Sequence, residues 1–215
     1  MEILFIRHGE PNYEKLSNYS IPSYLAGLSV EGVGQAELLA DNPILKDAGV
    51  IVSSPYTRAL QTAAIISRKT GVGIVVEPGL HEWLEDVTHT RTTNPYYGKL
   101  AYHEFLEHKG KNDSSCEYDW ESAEDVAKRA FEVIQRYHNL NFDKIIVVAH
   151  AMLIRTFGYD KQKFPYCSIY HYDFNDNSKY EGFVPWNGWC LSSTPLKRTY
   201  SQSFNYSPKT NEDEN

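Results

Sequence analysis

Short apolar runs recur along the chain, and each stops abruptly at polar or turn-forming residues. Residues 3–6, all bulky and uninterrupted, predict a strand buried on both faces. Residues 49–53 predict a second strand, with β-branched Val50, Ile51 and Val52 at its centre. Residues 72–76 predict a third, closed by Glu77-Pro78-Gly79, and residues 144–149 the strongest of the four. Between these runs the apolar spacing turns helical. Residues 28–40 predict a helix with Ser29 as N-cap and Val33, Ala36, Leu39 and Ala40 on one face. Gly32 and Gly34 weaken it and point to close packing on the sheet. Residues 56–69 predict a second helix, with Ser54 as N-cap, Pro55 at the first helical position and Gly71 as the stop. Ser122-Ala123-Glu124-Asp125 fits a capping box. It opens a helix whose stripe is Val126, Ala130, Val133, Ile134 and Tyr137. A short helix over 152–157 follows the fourth strand, stopped by Gly158. Residues 166–174 alternate, with Cys167, Ile169, His171 and Asp173 on one side and Ser168, Tyr170, Tyr172 and Phe174 on the other. Strands alternating with helices predict an α/β fold with a mainly parallel central sheet between helical layers.

The remaining segments are less regular. Residues 11–27 are polar, aromatic and turn-rich and read as a loop. Residues 87–119 read as an insert, a lid or a surface excursion, with a helix over 95–108. Residues 182–192, around Trp186 and Trp189, add a candidate edge strand and, if exposed, a contact surface for a homodimer. No linker splits the chain, so residues 1–204 read as one domain and the polar residues 205–215 as a disordered tail.

Composition narrows the function classes. The chain has 215 residues, 21 Lys and Arg against 28 Asp and Glu, and a formal net charge of −7. That balance argues against a nucleic-acid surface, so an anion site must be a local basic pocket. No run is long and apolar enough for a bilayer, and the N-terminus lacks the pattern of a signal peptide. The 3 cysteines, Cys116, Cys167 and Cys190, form no CxxC pair. They read as reduced thiols of a cytoplasmic protein and suggest no metal site.

The predicted strand ends carry the candidate chemistry. Arg7 and His8 follow the first strand, with Gly9 turning the backbone away. Arg58 lies in the first turn after the second strand, an unfavourable place for a cation unless it faces an anion. Glu82 follows the third strand beside Trp83 and Leu84, where an apolar setting raises a carboxyl pKa and keeps it protonated. His150 ends the fourth. A parallel sheet gathers such ends into one crevice. Taken singly, each has an ordinary structural explanation. Together, two arginines and two histidines suit a phosphate dianion, a neutral histidine can attack phosphorus, and an acid can protonate the leaving oxygen.

These residues resemble the histidine phosphatase, or phosphoglycerate mutase-like, superfamily. The resemblance extends to about residue 174. It rests on Ile6-Arg7-His8-Gly9-Glu10, Leu28-Ser29-Val30-Glu31-Gly32, Ser53-Ser54-Pro55-Tyr56-Thr57-Arg58-Ala59-Leu60-Gln61-Thr62-Ala63, Leu80-His81-Glu82 and Val147-Val148-Ala149-His150 with Ile154-Arg155. It implies a three-layer α/β/α fold and a metal-independent phosphomonoester hydrolase that needs no cofactor and acts on a small phosphorylated metabolite. By the same resemblance His8 becomes phosphorylated, and Arg7, Arg58 and His150 hold the phosphate with the backbone N–H of Ala151. Glu82 protonates the leaving group and then helps water attack the phosphohistidine. Ala151 stands where the family has glycine, a change that matters only if the position needs positive φ. The large acid-phosphatase branch is not matched at Glu10-Pro11-Asn12 or Ala151. The mutase pattern is not matched near Tyr13-Glu14, which favours a phosphatase over a mutase-type phosphotransferase. A non-catalytic phospho-ligand binding module is the alternative of a different class. Tyr13, Tyr19 and Tyr24 and the 87–119 insert are the candidate outer pocket, whose aromatic faces suit a flat alcohol moiety.

Overall fold

The apolar runs pair into one sheet in the computed structural model, which describes residues 1–13, 22–89, 96–158, 164–175 and 197–200. Its strands are β1 (Glu2–Arg7), β2 (Val50–Ser53), β3 (Ile74–Val76), β4 (Lys144–Ala149), β5 (Ile169–Asp173) and β6 (Lys197–Tyr200). The sheet order is β3-β2-β4-β1-β5-β6. The first four strands are mutually parallel, β5 runs antiparallel to β1, and β6 runs antiparallel to β5. The central register is Ile3 beside Ile145 and Arg7 beside Ala149, with Ser53 beside Val148. The carboxyl ends of β1, β2 and β4 therefore stop within one residue of one another.

Helices cover both faces: α1 (Val30–Ala40), α2 (Thr57–Thr70), α4 (Ala123–Asn139) and the short α5 (Ala151–Ile154), with α3 (Tyr97–Glu107) set apart. Successive strand residues point to opposite faces. Leu4, Ile6, Ile51, Ile146 and Val148 accordingly pack on Ala36, Leu39 and Ala40 of α1 and Ala59, Ala63 and Ile66 of α2. Ile3, Phe5, Val52, Ile145 and Val147 pack on Val126, Ala130, Val133, Ile134 and Tyr137 of α4. The alternation read over 166–174 divides the same way: Cys167 and Ile169 join the first core, Tyr170 and Phe174 the second. A smaller third core joins α3 to α4, with Tyr97, Ala101, Phe105, Trp120, Ala123 and Ala127.

Several sequence expectations need correction. Val33 is 39% exposed; the buried face of α1 instead carries Gly32 and Gln35 beside Ala36. Gly32 is buried because a Cβ there would stand 2.1 Å from the Glu10 carbonyl oxygen, whereas Gly34 has open space around it. The third strand is shorter than 72–76 and exposed along its length, as a strand at the sheet's edge can be. The helix after β2 has Tyr56 at its N-cap, with no side-chain cap. Ser54, expected to cap it, lies two residues before that N-cap. The helix after β4 ends at Ile154, earlier than 152–157 implied, with turns continuing to Phe157. Gly71 stops α2 as expected, at φ 77°. The candidate edge strand over 182–192, Trp186, Trp189, Tyr19, Cys190 and the tail 205–215 lie outside the described residues.

Candidate active site

The nearly level ends of β1, β2 and β4 bring the expected residues together. The His8 N–H donates to the Ala149 carbonyl (3.1 Å) and the Ser54 N–H to the Val148 carbonyl (2.9 Å). These bonds carry the ladders one residue past the strands, so His8 comes beside His150, and Ser54 beside Ala149, one position earlier. Arg7, His8, Arg58 and Glu82 line one cavity of about 380 Å³, together with Tyr13, Ser23, Tyr24, Tyr56 and Trp83. His150 is fully buried against it, its ring 5.0 Å from that of His8.

Hydrogen bonding assigns the His8 tautomer. Nδ1 lies 2.6 Å from the Gly9 carbonyl oxygen, which can only accept. Nε2 accepts from Arg58 Nε at 3.1 Å. The proton is therefore on Nδ1, and the Nε2 lone pair points toward the arginine. Burial and the neighbouring Arg58 hold the His8 imidazole well below the usual histidine range; the Gly9 carbonyl opposes this and Arg7 adds to it. Burial, then His8 and Arg58, does the same to His150. Its Nε2 pairs with Ser54 Oγ at 2.7 Å, and the same Oγ accepts the Tyr56 N–H at 3.3 Å, ahead of the helix.

The two arginines are anchored rather than loose. Arg58 occupies the second position of α2, is 4% exposed, and also donates from Nη1 to the Ser23 carbonyl at 3.0 Å. Arg7 donates to the Phe164 carbonyl and lies 3.9 Å over the Tyr166 ring, while its buried Nε has no partner among the described residues. Gly9 is tied to α2 through its N–H, which donates to Thr62 Oγ1 at 3.1 Å. Glu82 Oε1 accepts from the Trp83 N–H at 3.0 Å. Burial raises its pKa despite that bond and the nearby cations. Ala151 opens α5 with ordinary helical backbone and is not among the positive-φ residues, so the replacement of glycine introduces no strain there.

Ser54, Thr62, Tyr166, Glu121 and Arg129 were not singled out from the sequence as site residues. Arg129 gave a signal: it stands three residues after Val126 and four before Val133, a cation on the buried stripe of α4. Away from the cavity, the side chains of Glu104, His108 and Cys116 bring three potential ligand atoms within 4.8 Å of one another. The Glu104 carboxylate is already used there. It accepts the N–H groups of Glu117 (2.7 Å), Tyr118 (3.1 Å) and Trp120 Nε1 (2.8 Å), clamping the following loop to α3.

The chain thus has a mainly parallel α/β sheet with cations and histidines gathered at its strand ends. Residues 3–181 match the model of the histidine phosphatase superfamily (branch 1). The chain belongs to that superfamily and is by that membership an enzyme of the phosphatase class. No curated protein matches it. Among solved structures it resembles Bacillus stearothermophilus YhfR (17% identity, TM-score 0.62, covering 81% of this chain and 92% of that one). It also resembles a mycobacterial glucosyl-3-phosphoglycerate phosphatase complexed with VO3 (19%, 0.61, 94% and 99%) and the alpha-ribazole phosphatase from Shigella flexneri (18%, 0.58, 82% and 92%). These likenesses establish the phosphoglycerate mutase-like fold. No helix among the described residues is long and apolar enough to cross a membrane.

Proposed function

We propose that the protein hydrolyses a small phosphate monoester through a phosphohistidine. One observation carries this reading: His8, neutral and protonated on Nδ1, turns its Nε2 lone pair toward Arg58 in a cavity that also holds Arg7 and Glu82. Nε2 attacks phosphorus, a P–N bond forms and the P–O bond to the alcohol breaks. Glu82 gives its proton to the departing oxygen. Arg7, Arg58 and His150 take up charge on the other phosphoryl oxygens, with the Ala151 N–H available to them. Arg58 trades its bond to Nε2 for one to phosphate as substrate enters. Water then attacks phosphorus, Glu82 takes its proton, and the P–N bond breaks to release phosphate and restore His8. That a structural neighbour was solved with VO3, a phosphate-like oxyanion, is consistent with such a site. The cavity's outer wall of Tyr13, Tyr24 and Tyr56 suits a flat or ring-shaped alcohol moiety.

His8→Ala should abolish hydrolysis of p-nitrophenyl phosphate, and the wild type should yield an acid-labile, alkali-stable phosphoenzyme. Retained turnover in the variant overturns the mechanism. A panel of phosphosugars, nucleotides and other phosphate esters then tests the wall. Relative kcat/KM values that do not move when Tyr13 and Tyr24 are trimmed to Ala would remove it from the substrate site.

A further inference from the structure

Glu82 sits on a segment with little regular structure of its own. It follows the 3₁₀ turn Pro78–Leu80 and precedes a stretch of bends and turns. Yet an acid that serves a transition state must hold its position closely. The segment is gripped from outside the cavity by one pair of side chains. Arg129 Nη1 donates to the carbonyls of Gly79 and His81, both at 2.7 Å, and Nη2 to that of Glu82 at 3.3 Å. Glu121 grips the other end. Its Oε2 accepts the Leu84 N–H (3.1 Å), its N–H donates to the Leu84 carbonyl (2.9 Å), and its carbonyl accepts from Trp83 Nε1 (2.7 Å). The two side chains meet in a bidentate pair, Nε to Oε1 at 2.6 Å and Nη2 to Oε2 at 3.0 Å.

The pair is buried, with side-chain exposures of 15% for Arg129 and 8% for Glu121. A buried ion pair is poor value for stability alone, since apolar residues of similar volume usually serve as well. Apolar residues cannot hold three carbonyls and an N–H at fixed positions, and a lysine cannot reproduce the planar fork. Neither residue lines the cavity. Gly79 completes the arrangement, because a Cβ there would stand 2.8 Å from Val133 Cγ2 and push the segment off α4.

We infer that Arg129 and Glu121 are positioning residues for proton transfer: bound to the backbone on both sides of Glu82, they fix where its carboxyl meets the leaving oxygen. The inference rests on the proposed role of Glu82, and leaving-group dependence tests the two separately. An aryl phosphate expels a weakly basic phenolate and needs little proton transfer; an alkyl phosphate needs it fully. Glu82→Gln should lower kcat on an alkyl phosphate by about 10²–10⁴-fold and far less on p-nitrophenyl phosphate. Equal losses would remove Glu82 as the acid, and this inference with it. Given the selective loss, Arg129→Lys and Glu121→Gln should each repeat it at about 10–10²-fold, with KM changing little. The double variant Glu82→Gln/Arg129→Lys should be hardly worse than Glu82→Gln alone, since both changes remove one step. Equal losses on aryl and alkyl substrates in the Arg129 and Glu121 variants, or losses that multiply with Glu82→Gln, would overturn the positioning role. So would both single variants failing to fold, as that would make the pair purely structural.

Discussion

His8 and Glu82 need opposite protonation states, and the fold supplies both by the same means. Burial disfavours a charged imidazole and a charged carboxyl alike, lowering the first pKa and raising the second. The two shifts move toward each other the pH range in which His8 is neutral for attack and the range in which Glu82 carries a proton to give. The expected kcat/KM profile is a bell: the acid limb follows protonation of His8 and of substrate, the alkaline limb ionisation of Glu82. Glu82→Gln should remove the alkaline limb for an alkyl phosphate and leave the acid limb in place. An alkaline limb unchanged in that variant would assign it to another group. The nucleophile carries more of the rate: His8→Ala should cost roughly 10⁴-fold or more, beyond the loss from any single phosphate ligand.

The turn that orients His8 depends on one helix approaching closely. Gly9 and Gly32 lie backbone to backbone, for a Cβ on Gly9 would meet the Gly32 oxygen at 2.6 Å and one on Gly32 the Glu10 oxygen at 2.1 Å. Ser29 N–H to the Glu10 carbonyl (2.8 Å) and Glu10 N–H to Gln35 Oε1 (2.9 Å) fasten the turn to α1. Gly32→Ala must therefore move α1 or the turn and should cost about 1–3 kcal/mol. It should also lower kcat, because the Gly9 carbonyl sets the His8 ring. Gly34→Ala, with nothing near it, should instead stabilise by about 0.5–1 kcal/mol through helix propensity. At about 2–4 °C per kcal/mol for a chain of this size, thermal melts of the two variants should shift in opposite directions. A shared direction would refute the packing argument.

This contrast also marks what a linear reading of the chain could reach. Buried parallel strands announce themselves as apolar runs, and residues just beyond them must lie at the sheet's carboxyl edge. Arg7, His8, Arg58, Glu82 and His150 were accessible by that route. The carbonyl partner of His8 was also foreseeable, because a glycine turn adjoins it. Contacts made across the fold leave no such trace. Ser54 looks like a helix cap, and only the fold brings His150, 96 positions away, within 2.7 Å. Tyr166 reaches Arg7 only because β5 returns antiparallel to β1. Arg129 spans 47 to 50 positions to reach backbone carbonyls, and backbone groups carry no sequence identity. Val33 failed because helical spacing defines a stripe but not its edge. The neighbouring Gly32 was drawn inward by the turn it packs on.

For the whole molecule, the site imposes a balance of stability against pH. In an unfolded chain His8 and His150 would titrate near 6.5, while the folded protein holds both well below that value. As the pH falls through 6.5 the unfolded chain takes up protons that the folded form refuses, so these residues progressively remove stability on the acid side. Glu82 acts in the reverse direction. Its folded pKa lies above the ordinary 4.5, so the folded form keeps a proton that the unfolded chain releases. Stability is lost as the pH rises from 4.5 to that folded value, and the deficit persists above it. Glu82→Gln should therefore raise Tm at neutral pH and lose that advantage as the pH drops from the folded Glu82 value to 4.5, while His8→Gln should flatten the acid-side decline. Thermal melts of the wild type and both variants from about pH 4 to about pH 8 read both effects together. A Glu82→Gln variant less stable than the wild type at neutral pH would mean that its contacts with the Trp83 N–H and the nearby arginines outweigh burial. The carboxyl would then be an ordinary stabilising anion, not an acid held protonated by the fold.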